Sequence, residues 1–385
     1  MMHLSFKPAY LVCCFFIAGL QMAISQTANK PAYKEPKVFA GIEVGSKGVK
    51  MSIVEISSNG LQDQSLRVLK DSAVNTDFIS FTRSSFLATL KGLTGLYNEA
   101  LIQYSIPGEK IFTVISSGVH IQAEKSGQLN MLKSLSDSFR YAINEPEKVV
   151  DIVNVTQEAM LSHMGIVPDG KRYNTFLIDI GSGNTKGGFF PDDNNTAHFK
   201  LFQLTWGTKS VANAVEKKLD GDQSVDNYRK QLYRVLAGSA SDEIIYAVNA
   251  SDAYNINDNI VFSGGIAWSV ATLINPELIE NPVIPVTYAE VENFYKRIYE
   301  DYSSLSVNAI GSQMNDPFLD KQLIANEVAR VHKVFEQKSL LAGTGLLLKI
   351  MRQFEGIYEK KDFYLVKNGQ VGWISAYVKQ AVANQ

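Results

Sequence analysis

The sequence predicts an α/β protein built from two duplicated domains, each a mixed sheet flanked by helices. Three observations carry that expectation. The chain has 385 residues, 45% of them apolar, with 27 Gly and 11 Pro, which is too long for one ordinary domain and too mixed for a disordered chain. A glycine-turned β-hairpin motif occurs twice, about a domain's length apart. A strand running through a Gly-Gly turn into an apolar helix follows the second copy. Charge adds one exclusion: 37 Lys+Arg against 39 Asp+Glu, a formal net charge of −2, argues against a nucleic-acid partner held by bulk positive charge.

The first residues read as a leader rather than as fold. His3 and Lys7 precede the apolar run Ala9 to Leu20, and Ala23-Ile24-Ser25 offers small residues to a signal peptidase, so residues 1–25 are expected to be a signal peptide. The run is short of the roughly 20 apolar residues that span a bilayer. Both cysteines, Cys13 and Cys14, fall inside it, so the mature chain would have no disulfide and no cysteine metal ligand. Export to the periplasm or the cell exterior follows, with no membrane attachment after cleavage. Residues 26–37, rich in Lys, Pro and Ala, are the expected linker.

Next comes the first hairpin. In Val38 to Ile56, apolar residues at Val38, Ala40, Ile42 and Val44, then Val49, Met51 and Ile53, alternate with period two on either side of Gly45-Ser46-Lys47-Gly48. Thr175 to Phe190 repeats the pattern. Aligned, IEVGSKGVK and IDIGSGNTK share Ile42 with Ile178, Gly45 with Gly181, Ser46 with Ser182 and Lys50 with Lys186, while Glu43 matches Asp179. The third turn, in Asn259 to Ile266, is a strand entering Gly264-Gly265 ahead of a buried helix, an arrangement that brings backbone N–H groups against a phosphate.

The remaining elements are read more briefly. Tyr288 to Tyr302 has the spacing of an amphipathic helix, for domain packing or a homodimer surface. His163, with Met160, Leu161 and Met164, reads as helix packing. There is no nucleophile-elbow serine, no Walker A lysine and no His-Glu-x-x-His zinc helix.

The paired hairpins with SGGI downstream resemble the actin, heat-shock 70 and sugar-kinase (ASKHA) superfamily, whose duplicated ribonuclease-H-like domains clasp a polyphosphate between two phosphate-binding hairpins. Within it the likeness is greatest to the exopolyphosphatase and guanosine pentaphosphate phosphatase (Ppx/GppA) family, and next to the ecto-apyrases. Ile111 to His120 looks like that family's strand and Thr-Ser-Ala-Leu-Arg turn. Asp151 to Ile166 looks like its Ser-Gly-x-Glu-Glu-Ala-Arg-Leu helix. FQLTWG (residues 202–207) resembles its strand ending in a glycine, and Ser339 to Lys349 its small-residue turn into a helix.

This resemblance implies two actin-like ATPase domains, residues 38–170 and 171–385, each on a five-stranded mixed sheet, with the C-terminal helix packing back onto the first. It implies phosphate binding by Gly45, Ser46, Lys47, Ser117, His120, Gly181, Ser182, Gly183, Asn184, Thr185, Lys186, Gly264 and Gly265. It further implies Mg²⁺ or another divalent cation on Glu43 and Asp179, and catalytic roles for Asp179 and the Gln157-Glu158 pair.

The chain also departs from the family pattern. Gln157 stands where the family has its water-activating Glu, and an amide cannot accept a proton; Glu158, its neighbour, points about 100° away on a helix. His120 replaces a phosphate-binding Arg, Lys47 an Asn, and Lys186 a Glu or Gln. The family's Arg-Glu pair after the last strand is absent from GQVGWI, residues 369–374. The cleft thus loses acids and gains lysines, which favours an anion over a divalent cation. Two readings stay open: an exported phosphoanhydride hydrolase acting on polyphosphate or nucleotide polyphosphates, or a catalytically degenerate protein that binds a phosphate-rich anion or a partner.

Overall fold

The structure is a computed structural model that describes residues 37–46, 48–58, 64–192, 198–355, 360–367 and 369–383. The expected signal peptide, the linker up to residue 36 and Lys47 lie outside the described residues.

Two sheets form the framework. The first holds β1 (Lys37–Val44), β2 (Gly48–Ser58), β3 (Gln64–Asn75), β4 (Ile111–Ile115) and β5 (Val150–Ile152) in the order β3-β2-β1-β4-β5. The second holds β6 (Thr175–Ile180), β7 (Thr185–Phe189), β8 (Lys200–Leu204), β9 (Asn259–Ser263), β10 (Val283–Val286) and β11 (Asp362–Val366) in the order β8-β7-β6-β9-β11-β10. Five strands of each sheet follow one plan. A glycine-turned hairpin and a third strand pair antiparallel, and two strands delivered by helical crossovers then pair parallel to the first. The fold class expected from the duplicated hairpins is therefore present. The second sheet adds a sixth strand, β10, antiparallel to β11.

Why β1 and β6 sit centrally is visible in their sequences. VFAGIEV and TFLIDI are nearly continuous apolar runs, and both strands are buried over almost their whole length. One face of β1 (Ala40, Ile42, Val44) joins a core with Val49, Met51, Leu93, Ile115 and Phe139. Its other face meets the last helix, Gly369–Ala383: Phe39 packs with Val378, and a Cβ at Gly41 would fall 2.7 Å from Ile374. The same helix touches Val155–Ile166 so closely that a Cβ at Gly165 would strike the Gly372 carbonyl. Glycine at both positions lets the two backbones meet.

Three sequence expectations resolve in the second core. Val291, Phe294 and Ile298 of the helix Tyr288–Glu300 are buried inside it, so that apolar face packs within the protein. Residues 339–349 form no turn: Gln337–Met351 is one helix, and Gly343 lies in its interior because Ile266 and Thr208 press against it. His163 is fully buried, edge-on to Phe190, with Nε2 on the Thr175 carbonyl; burial pushes its pKa down to about 4, so the neutral ring is a packing residue.

Candidate functional site at the junction of the two hairpins

The two hairpins repeat each other in register as well as sequence. Glu43 lies directly opposite Lys50 in the β1/β2 pair, and Asp179 lies directly opposite Lys186 in the β6/β7 pair. Each turn closes on itself, Gly45 N–H donating to Gly48 O at 2.9 Å and Gly181 N–H to Asn184 O at 3.0 Å. Those two amides are therefore committed to the turns. Among the described residues, the amides of Ser46, Ser182 and Gly183 enter no backbone hydrogen bond in these turns, which leaves them available to an anion. The second turn is braced from behind, where Lys209 and Ser210 N–H donate to Ser182 O at the start of the helix Thr208–Glu216.

Glu158 joins the two halves. Asn154 caps the helix Val155–Ile166 by accepting from Gln157 N–H at 2.8 Å, and this start places Glu158 on the buried face with Leu161 and Ser162. The Glu158 carboxylate, 3% exposed, accepts from Ser117 N–H at 2.8 Å through Oε2 and pairs through Oε1 with the Lys186 ammonium. Ser117 opens the helix Ser117–Lys125, whose Gly118 lies against Ser46 of the first turn. A continuous path thus runs from Ser46 through Gly118, Ser117 and Glu158 to Lys186.

The acids of the two hairpins complete the cluster. Asp179 is partly buried; Ser263 Oγ donates to its Oδ1 at 2.9 Å, and Gly264 packs on the same oxygen with φ 95°, a conformation and a space that admit only glycine. Glu43, 6% exposed, turns back over the first turn, its Oε1 lying 2.9 Å from where a Cβ at Gly45 would sit. Trp373 reaches the Glu43 carboxyl from the last helix, while Oε2 has no hydrogen-bond partner among the described residues.

Electrostatics differs among the three acids. Burial pushes Glu43 above the usual carboxylate range, and Lys50 only partly offsets it. Burial likewise raises Asp179, against the pull of Lys186 and Ser263. Burial also acts on Glu158, but the Lys186 ion pair and the Ser117 hydrogen bond win and hold its carboxyl low. Lys186 is correspondingly held protonated: burial would lower it, and Glu158 with Asp179 raises it.

The expected site residues take different places in this geometry. It is Glu158 that points into the cluster, while Gln157 sits on the half-exposed side of the helix. The register of the helix turns residue 158 inward. Ser117 offers its N–H to Glu158 rather than to a ligand. Thr185 is fully buried and donates to the Trp206 carbonyl at 2.7 Å, which fixes the hairpin and leaves no hydroxyl for phosphate. Gly265 starts the helix Gly265–Ile274 behind Gly264, Asn184 closes its turn through its carbonyl, and His120 lies one turn along its helix, bonded through N–H to Ser116 O. Trp373 and Ser263 are participants that the sequence did not single out; Trp373 lies in the very stretch that lacks the family's Arg-Glu pair.

The cluster does not fit a divalent cation. Among the described residues no set of three His, Cys, Asp or Glu is placed to hold one. Glu158 already has a cation, and burial favours protons on Glu43 and Asp179. A doubly charged ion about 4 Å from the Lys186 ammonium would be repelled by roughly 8 kcal/mol at an effective dielectric of about 20. That cancels the attraction of one carboxylate at the same distance.

No protein-family model and no curated protein matches the chain. Solved structures do. A Ppx/GppA family member from Aquifex aeolicus is 15% identical with a TM-score of 0.60, covering 91% of this chain and 99% of that one. An exopolyphosphatase from Cytophaga hutchinsonii is 10% identical with a TM-score of 0.55, over 90% and 98%. An exopolyphosphatase-like protein is 13% identical with a TM-score of 0.57, over 91% and 100%. With the strand order repeated in both sheets and the likeness running the length of both chains, the protein has the two-domain, actin-like fold of the Ppx/GppA proteins.

Proposed function

We propose that the protein is a phosphoanhydride hydrolase acting on polyphosphate or nucleotide polyphosphates at the junction of the two hairpins. The observation that carries this reading is the placement of Glu158: a carboxylate from the first half of the chain set against the lysine of the second hairpin, and joined through Ser117 to the Gly118 that lies against Ser46. The amides of Ser46, Ser182 and Gly183 would hold phosphate oxygens, and the ammonium of Lys186 would neutralise charge on the transferred group. Glu158 stays ionised at neutral pH and keeps lone pairs free beyond its two present bonds, so it can orient a water for attack on the terminal phosphorus. The P–O–P bridge then breaks and orthophosphate leaves. Fold likeness to exopolyphosphatases supports the substrate class, and the leader sequence supports export as its setting.

One observation favours a second reading, binding without turnover: both Glu158 oxygens are already engaged, by Lys186 and by Ser117. Phosphate release from tripolyphosphate and ATP separates the two. Hydrolysis reduced at least a hundredfold in Glu158→Gln and kept in Gln157→Ala is the expected result. Tripolyphosphate binding with no release, in wild type and in Gln157→Glu alike, would leave only the binding reading.

A further inference from the structure

Resting on the reading of this junction as a phosphoanion site, we propose that Lys186 is its built-in cation, standing where a divalent metal would otherwise balance the acids, so that the site takes its phosphoanion free of metal. Position and partners argue for it together. Lys186 stands opposite Asp179 across the hairpin, pairs with Glu158 from the other half, and acts on Glu43 as well. One ammonium thus pairs with Glu158 of the helix Val155–Ile166 and lies within electrostatic reach of Asp179 on β6 and Glu43 on β1. Its side chain is 13% exposed, so it is held inside the cluster rather than swinging in solvent.

The first hairpin supplies a matching charge at its own equivalent position, Lys50 against Glu43. One ion-paired ammonium and a second, partly exposed one against three acids leave little net negative charge to attract a dication. The ligand consequence is specific. An ammonium has three N–H donors, and Glu158 uses one, so Lys186 can donate to phosphate oxygens without leaving its partner. A metal-complexed polyphosphate would bring a second cation to a place already taken; the free anion would not.

The test uses the full chain and two probes. Mn²⁺ alone is followed by electron paramagnetic resonance in wild type, Lys186→Gln and Lys186→Glu. Wild type is expected to retain no Mn²⁺ at millimolar concentration, and Lys186→Glu to gain one equivalent that is lost again when Asp179→Asn is added. A wild-type equivalent of Mn²⁺ removed by Asp179→Asn overturns the proposal, as does a Lys186→Glu chain that is folded by circular dichroism and gains none. Should Lys186→Glu not fold, Lys186→Gln takes its place: Mn²⁺ affinity raised at least tenfold supports the proposal, and unchanged affinity overturns it.

Pyrophosphate is the second probe, read as the rise in melting temperature in EDTA and in Mg²⁺. A rise in EDTA at least as large as in Mg²⁺, and at least halved in Lys186→Gln, is expected. A rise that appears only with Mg²⁺ overturns the metal-free site. No rise under either condition sinks the phosphoanion reading itself, whatever Mn²⁺ shows.

Discussion

The two hairpins carry the same pair of charges at the same register, yet the structure uses them differently. In the first, Glu43 folds back onto its own turn and meets Trp373 with one oxygen, while Oε2 has no partner among the described residues. In the second, Asp179 is settled by Ser263 and Gly264, which frees Lys186 to reach across to Glu158. Duplication set the framework; the residues around each turn decided which copy became a local cap and which became the link between halves. The difference teaches that one cross-strand acid–lysine pair is a structural detail and the other is the centre of the site.

The largest effect that would break this contrast is removal of the linking charge. Lys186→Met leaves Glu158 buried beside Ser117 without its cation, and loss of one partner of a buried pair costs about 3–5 kcal/mol. Lys50→Met removes a partly exposed lysine and is expected to cost below about 1 kcal/mol. Urea unfolding of both variants measures it. The double variant Lys186→Met with Glu158→Gln should recover most of the loss, because the uncompensated charge is gone. Equal losses at the two lysines would show that the hairpins are equivalent after all.

Much of this contrast is not legible in the chain alone, and the reasons are physical. The hairpins, the third glycine turn and the duplicated plan are legible because period-two apolar runs around Gly-Ser turns admit few other structures. The match of Lys50 with Lys186 is legible too. What one lysine touches is not, since Glu158 comes from a helix 28 residues earlier in the chain. Helical phase hides the roles of Gln157 and Glu158: the 100° between neighbours is fixed, but which of them faces inward depends on where the helix starts, and Asn154 sets that. The small residues around Gly343 suggest a turn because such residues signal both turns and close helix packing, and only the neighbours Ile266 and Thr208 distinguish them. Trp373 carries no local signal; its role comes from the last helix lying across β1.

A smaller effect sharpens the comparison at the turns. A Cβ added at Gly181 would sit 2.9 Å from the Asn184 carbonyl oxygen, a backbone atom fixed by the turn itself. At Gly45 the nearest atom, also at 2.9 Å, is Glu43 Oε1, the free end of a side chain. Gly181→Ala is therefore expected to cost about 1–3 kcal/mol and Gly45→Ala below about 1 kcal/mol, since only the second site can give way. Thermal unfolding of the two variants checks the order. Reversal would mean that the Glu43 carboxyl is as firmly fixed as the backbone.

The smallest expected effect lies in the pH dependence of stability, where the two kinds of acid act with opposite sign. Glu158 is held below its unfolded value, near about 4. Its contribution is present above that value and is lost as pH falls through the folded one, so it steepens acid unfolding. Asp179 and Glu43 are held above theirs. The folded chain then binds more protons than the unfolded chain from about pH 4 upward, and their contribution declines as pH rises through that window. The raw profile blends these three with the rest of the chain's 39 acidic residues, so the difference between variants is the readable quantity. Asp179→Asn should flatten the decline above about pH 4, and Glu158→Gln should lessen the loss below it, each relative to wild type in urea titrations at stepped pH. If both variants shift the profile in the same direction, Lys186 does not favour Glu158 over the hairpin acids, and the division of labour between the two hairpins fails with it.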